Sequence, residues 1–408
     1  MQQQIISYSR NPASSAERRV DLDWVRIAAF GLLIFYHVGM LYVSWGFHIK
    51  SIHRVTALEP LMLVLNPWRL SLLFLVSGVA TRFMLRKSTL GSLLRARSGR
   101  LLIPLIFGML VIVPPQAYDQ IVESLGYPAG FVDFYTRHYL AFGTQFCPRP
   151  CMVLPTWNHL WFVVYLWVYT MALGGLLMVV PALVPWIEEK LAKALSGVLL
   201  LVVPSILFAI YRLTVLPRFP ATHALFSDWY NHALFATVFL IGFLLARMET
   251  FWDAVERQRW IALGLAVVSY LSFLAVWSGK VGTPPSLPLK LYGGLAYGFY
   301  QWLCMVAVTG FARRWFTSDS ALRRYLTEAV FPYYIVHQTA IIMIAHALQG
   351  RDLPAWLEAS IVITGTIVTC GLTYEIVRRV TIFRPLFGLR AVAAEPAMPM
   401  KVSSQPAE

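Results

Sequence analysis

The sequence predicts an all-α fold, a polytopic membrane bundle of about ten transmembrane helices. Three observations carry that prediction. The 408 residues are 58% hydrophobic and only 13% charged. Apolar runs of the roughly 20 residues needed to cross a bilayer recur along the chain. The basic residues also fall unevenly on the two sides that such a bundle would have.

The spans are expected at about 24–46, 61–85, 101–117, 157–180, 194–214, 231–248, 259–278, 291–312, 329–348 and 356–377. The first runs from Trp24 to Gly46 and is interrupted by Arg26 and His37. The second carries Asn66-Pro67-Trp68-Arg69, then the small pair Ser77-Gly78, which allows close helix packing around a polar cavity. Pro104, Pro114 and Pro115 interrupt the third, because proline lacks the N–H a helix needs. The fourth opens on the aromatic run Trp157 to Phe162, suited to a membrane interface. The fifth to eighth rest on length and apolar content alone. The ninth holds His337 midway, and the tenth ends near Glu375.

Residues 1–20 are polar and lack the apolar core of a removable signal, so the first span is expected to serve as its own insertion signal. Residues 21–390 read as one membrane domain. Residues 391–408, rich in Ala, Pro and Ser, read as a disordered cytoplasmic tail. No internal repeat, soluble domain or Gly-rich nucleotide loop is visible.

An even number of spans puts both termini on one side. With the N-terminus inside, 23 of the 34 Lys and Arg residues lie in cytoplasmic segments and 9 in outer loops. That bias predicts a multi-pass protein of the bacterial inner membrane with both termini cytoplasmic. The net charge of +14 is then mostly positive-inside bias and attraction to anionic lipid, and no nucleic-acid partner is expected. Cys304 and Cys370 read as packing residues within spans. Cys147 and Cys151 bracket Pro148-Arg149-Pro150 in the longest outer loop, where a disulfide and two free thiols are both open. Without nearby histidines they make a poor metal site, and no metal is expected.

Charged and titratable groups within the spans are the candidate site, since such groups are expensive in lipid and face a bundle interior or cavity. Arg26 and His37 are eleven residues apart, three helical turns plus about 20°, and so share one stripe about 16 Å apart along the axis. Arg69 lies about eight residues into the second span. Arg97 and Arg100, three apart in a dense basic segment, share a helical face at the inner mouth of the third, placed for forked bonds to phosphate. His159 opens the fourth span, where the interfacial belt explains it equally well. His337 is deep in the ninth, and Glu375 lies near the depth of Arg26, where a structural Arg–Glu pair competes with a catalytic role.

Arg26-x10-His37, Arg97-Ser98-Gly99-Arg100 and ten spans together resemble the acyltransferase-3 family of integral membrane acyltransferases. Further likeness runs through Leu22-Asp23-Trp24-Val25-Arg26, Trp68-Arg69-Leu70, His159-Leu160-Trp161-Phe162 and Tyr374-Glu375-Ile376-Val377, to Arg384-Pro385-Leu386-Phe387-Gly388. The nearest branch is one implied to add succinyl groups to periplasmic glucans. The Glu-Arg/Lys-Pro ending of many members is absent here, which leaves the role of Glu375 open.

The resemblance implies an O-acyltransferase that takes acetyl or succinyl from cytoplasmic acyl-CoA, a substrate and not a bound cofactor, and places it on an extracytoplasmic carbohydrate hydroxyl. Arg97 and Arg100, helped by Arg26, would grip CoA phosphates. His37 would be general base or a covalent acyl carrier. Arg69 would stabilise an oxyanion or orient the acceptor. His159, His337 and Glu375 would bind the acceptor, or in the case of the histidines orient His37. A carbohydrate or anion transporter would line its path with the same charges, and a non-catalytic membrane subunit or sensor would use the histidines for packing or pH response.

Overall fold

The computed structural model describes residues 19–147, 151–278 and 286–390. The polar N-terminal segment up to residue 18, Pro148-Arg149-Pro150 and the tail 391–408 lie outside the described residues. Among the described residues the chain is all-α apart from one two-stranded hairpin.

Helix α1 (Val20–Gly39) begins with Asp21 and Asp23 in its first turn, where carboxylates complement the helix dipole. It was expected to run to residue 46 but stops at Gly39. Residues 40–55 instead fold over its end. Lys50 Nζ donates to the carbonyls of Met40 (2.6 Å) and Val43 (2.7 Å), and Glu59 accepts from the backbone N–H of Ser44 (3.0 Å). These side chains satisfy backbone groups that continued helix would otherwise have paired.

Helix α2 (Glu59–Arg86) keeps Pro67 inside it. Side chains of a later helix serve the carbonyls around that proline. Gln301 Nε2 donates to the Pro67 carbonyl at 2.6 Å, and Tyr300 donates its hydroxyl to that of Val64, which also accepts from the Trp68 indole at 2.7 Å. This is how a proline persists in a membrane helix.

Helix α3 (Leu90–Phe107), capped by Thr89, begins about eleven residues before the expected third span. A wide helical turn (Gly108–Ile112) and a 43° bend lead to α4 (Pro114–Leu125), so the break falls at the proline pair the sequence marks. A short α5 (Phe131–Phe134) and a hairpin of β1 (Gln145–Phe146) and β2 (Met152–Val153) follow, with Cys147 and Cys151 joined as a disulfide.

Then come α6 (Trp161–Val179) and α7 (Leu183–Ala194), the latter meeting α8 (Leu199–Ile210) at 104°. Residues 181–193 were expected as a connecting loop. In the structure most of them form α7, tied to α2 by the Arg82–Glu188 ion pair at 2.6 Å. The chain closes with α9 (Trp229–Leu245), α10 (Glu249–Ser278), α11 (Leu287–Trp315), α12 (Ala321–Leu348) and α13 (Ala355–Arg379).

Among the described residues, seven helices are long and apolar enough to cross a membrane, or nine if each bent pair is one span. The 17-residue α9 is the short tenth segment. Helix α1 is central, lying against α2, α11, α12 and α13. Helix α2 packs closely on α9: a Cβ at Gly78 would collide with the Phe239 carbonyl oxygen, and one at Gly242 with that of Leu75. Small residues here let two backbones touch. Residues 381–390 fold back beneath the bundle, where Phe387 and Leu389 are buried and Arg100 Nε donates to the Gly388 carbonyl at 3.1 Å.

Candidate active site

Two helices meet at the centre of the site. His37 lies in the last turn of α1, two residues before the helix ends. His337 lies midway along α12. Their rings stack with centroids 5.1 Å apart and an 8° interplanar angle, and His37 Nδ1 is 3.0 Å from His337 Nε2.

Hydrogen-bond chemistry assigns the protons. His337 Nδ1 lies 2.7 Å from the Tyr334 carbonyl, which can only accept, so Nδ1 carries the hydrogen. In the neutral ring Nε2 is then bare and accepts from His37 Nδ1–H. His37 is left with a bare Nε2, which makes no hydrogen bond among the described residues. A carbonyl and a second imidazole thus orient the first, the role a third group plays behind any activated base.

His159 joins this pair, although the interfacial belt would have explained it. It is buried in the one-turn helix that opens α6, with its ring 5.2 Å from that of His337. Its Nε2–H donates to the Ile335 carbonyl (3.0 Å), and its Nδ1 accepts from Gln116 Nε2 (3.3 Å).

Sequence reasoning missed the rest of this layer. His48, from the folded loop, donates through Nδ1 to Gln120 Oε1 (2.6 Å) and accepts at Nε2 from Gln338 (2.8 Å). Gln338 and Asn158 also donate to Gln116 Oε1, at 3.2 and 3.4 Å. Burial holds the His48 imidazole well below its ordinary range, at about 4. Neutral polar residues next to a flagged one, Gln338 after His337 above all, were the available signal. Among the described residues no group of three or more His, Cys, Asp or Glu is arranged to hold a metal ion.

The arginines divide between two places. Arg69, 1% exposed, stacks on the Tyr36 ring at 4.0 Å, and that ring lies 5.9 Å from the His37 imidazole. Arg26, Arg97 and Arg100 gather at the face where α1 begins, with Arg26 and Arg100 in electrostatic reach of Arg97. Arg97 donates to Thr81 Oγ1 at 2.5 Å, so it points to α2, whereas Arg100 points to the refolded C-terminal segment. Arg26 donates to the Thr327 carbonyl at 3.1 Å and pairs with Asp23 at 3.9 Å.

Glu375 takes Arg378 (3.0 Å), Arg379 (2.8 Å) and the Tyr325 hydroxyl (2.7 Å), so the pair with Arg26 that matching depths suggested does not form. Arg323, which sequence reading passed over, is fully buried on Asp23 and Asp319 at the same face.

An apolar bundle around a base-competent imidazole, with cations at one end and neutral hydrogen-bonding groups at the other, suits group transfer within a membrane. The chain belongs to the acyltransferase-3 family, whose acyltransferase-domain profile matches residues 19–375, and is a membrane acyltransferase. Its relatives include glucans biosynthesis protein C of Escherichia coli O6:K15:H31 (strain 536 / UPEC), 22% identical over 92% of this chain and 96% of the relative. The K12 protein of that name is likewise 22% identical over the same shares. No solved structure gives a significant match.

Proposed function

We propose that this protein moves an acyl group, acetyl or succinyl, from cytoplasmic acyl-CoA to a hydroxyl of an extracytoplasmic carbohydrate, in a bacterial inner membrane with both termini inside. The observation that carries the proposal is the bare Nε2 of His37, backed by His337 and the Tyr334 carbonyl. His37 Nε2 takes the acceptor hydroxyl proton as that oxygen attacks the thioester carbonyl. The C–S bond breaks and the departing thiolate takes the proton back from the imidazolium.

Arg26, Arg97 and Arg100 supply positive charge where CoA phosphates would enter, and Arg100 would exchange the Gly388 carbonyl for a phosphate oxygen. The amide and imidazole layer of His48, Gln116, Asn158, His159 and Gln338 offers neutral donors and acceptors of the kind sugar hydroxyls match. The glucan in the relatives' name supports a glucan acceptor.

The test is turnover of acyl-CoA by purified protein with a glucan acceptor. His37→Ala should lower it by ~10²–10⁴-fold with membrane insertion intact, the range expected for loss of a general base. Activity retained within about tenfold would remove His37 from that role.

A further inference from the structure

Arg69 is a buried guanidinium with nothing to donate to. It makes no hydrogen bond and no ion pair among the described residues, and its Nε and Nη1 are fully shielded. Its described contact is the Tyr36 ring face, which attracts a cation but accepts no conventional hydrogen bond. The other buried arginines differ: Arg323 holds Asp23 and Asp319, and Arg97 holds Thr81 Oγ1 and the Ser77 carbonyl.

An unpaired buried charge costs stability that a leucine or methionine of similar volume would not. Packing therefore does not account for Arg69. Its position does narrow the explanation, because the Tyr36 ring on which it stacks lies 5.9 Å from the His37 imidazole, itself stacked on His337. The acids nearest in sequence are engaged elsewhere, with Glu59 on Ser44 and Asp23 on Arg323.

We propose that Arg69 is a carboxylate-binding site beside the histidine pair, and that the substrate brings the carboxylate. The inference rests on the acyl-CoA reading above and narrows it. A dicarboxylic acyl group with its thioester carbonyl at His37 would lay its free end on Arg69. The planar guanidinium, with no N–H committed among the described residues, matches a carboxylate bidentately, as a lysine would not. An acidic sugar of the acceptor would bring the same chemistry from the other side.

The experiment titrates purified full-length protein with succinyl-CoA and butyryl-CoA, which share a four-carbon chain and differ in the distal carboxylate. A second arm compares uronate-bearing with neutral oligosaccharides. Wild type should bind succinyl-CoA at least ~10-fold more tightly than butyryl-CoA, the scale of a charged hydrogen-bonded pair. Arg69→Gln should bind the two esters alike, and Arg69→Lys should recover part of the difference.

If discrimination instead separates the oligosaccharides and is lost in Arg69→Gln, the carboxylate site stands and the acceptor is its source. Equal binding of charged and neutral ligands by wild type in both arms overturns the proposal, and needs no variant to fold. Loss of turnover by one factor for every donor in Arg69→Gln, with selectivity unchanged, also overturns it and makes Arg69 an oxyanion donor. If no CoA ester binds at all, the acyl-CoA reading fails. Titration of free succinate against wild type and Arg69→Gln then decides the carboxylate site by itself.

Discussion

A proton taken up at His37 Nε2 leaves Nδ1–H still donating to His337, so the new positive charge is shared along a chain ending at the Tyr334 carbonyl. In the proposed mechanism His337 would therefore act through His37. His337→Asn keeps a donor for the Tyr334 carbonyl but removes the acceptor at the Nε2 position, so nothing holds His37 in its reactive tautomer. Acyl transfer should fall by about 10- to 100-fold, with a smaller change in KM, less than for loss of the base itself. Steady-state kinetics in detergent would check this, and an unchanged kcat would reduce His337 to packing.

Arg26, His37, Arg69, His159 and His337 were legible at this scale because a charge or imidazole stands out against a 58% hydrophobic chain. Gln116 and Gln338 were overlooked, since a neutral amide carries no charge to mark it, although Gln116 follows the proline pair and Gln338 adjoins His337. His48 was hidden because its place depends on where α1 ends, and nothing in Trp24 to Gly46 marks that end.

The loop of residues 40–55 carries a pH prediction. Burial holds the His48 pKa at about 4 in the fold, below the ordinary 6.5 of the unfolded chain. The unfolded state thus binds more protons between those values, and stability present above pH 6.5 should be lost as pH falls toward 4. A proton on Nε2 would also face the Gln338 amide donor. The melting temperature of His48→Gln should show a shallower slope than wild type over that interval, while equal slopes would place the titration elsewhere.

Another element-scale prediction concerns the α2–α9 crossing. Gly242→Leu would drive a side chain into the Leu75 carbonyl, a backbone group with no flexible side chain to give way. Destabilisation of ~1–3 kcal/mol or more is expected, read by thermal unfolding in detergent. An unchanged transition would mean the helices part freely. Gly78 was marked in the sequence as half of a small pair, but its partner Gly242 was not, because which helices meet is a property of the assembled bundle.

For the whole molecule, all ten apolar runs were legible as helix, and the proline-marked break fell where expected. The 104° turn between α7 and α8 was not, since α7 reads as an ordinary polar connection. The 23-to-9 basic asymmetry makes a directional prediction. In sealed vesicles of known orientation, non-permeant acyl-CoA supplied at the Arg97 and Arg100 face should support acylation of an impermeant glucan on the other. Product formed only when both substrates share a side would refute transfer across the membrane.

Under the proposed function, the early end of α1 would give the two substrates unequal tasks. The thioester would be carried through the bundle, about 16 Å from Arg26 to His37, which favours one long slender carrier. The hydroxyl would need only to reach past residues 40–55 at the opposite rim. A polymer too bulky ever to thread a helical bundle would then be served at its surface, one sugar at a time, and the enzyme would not have to measure its length.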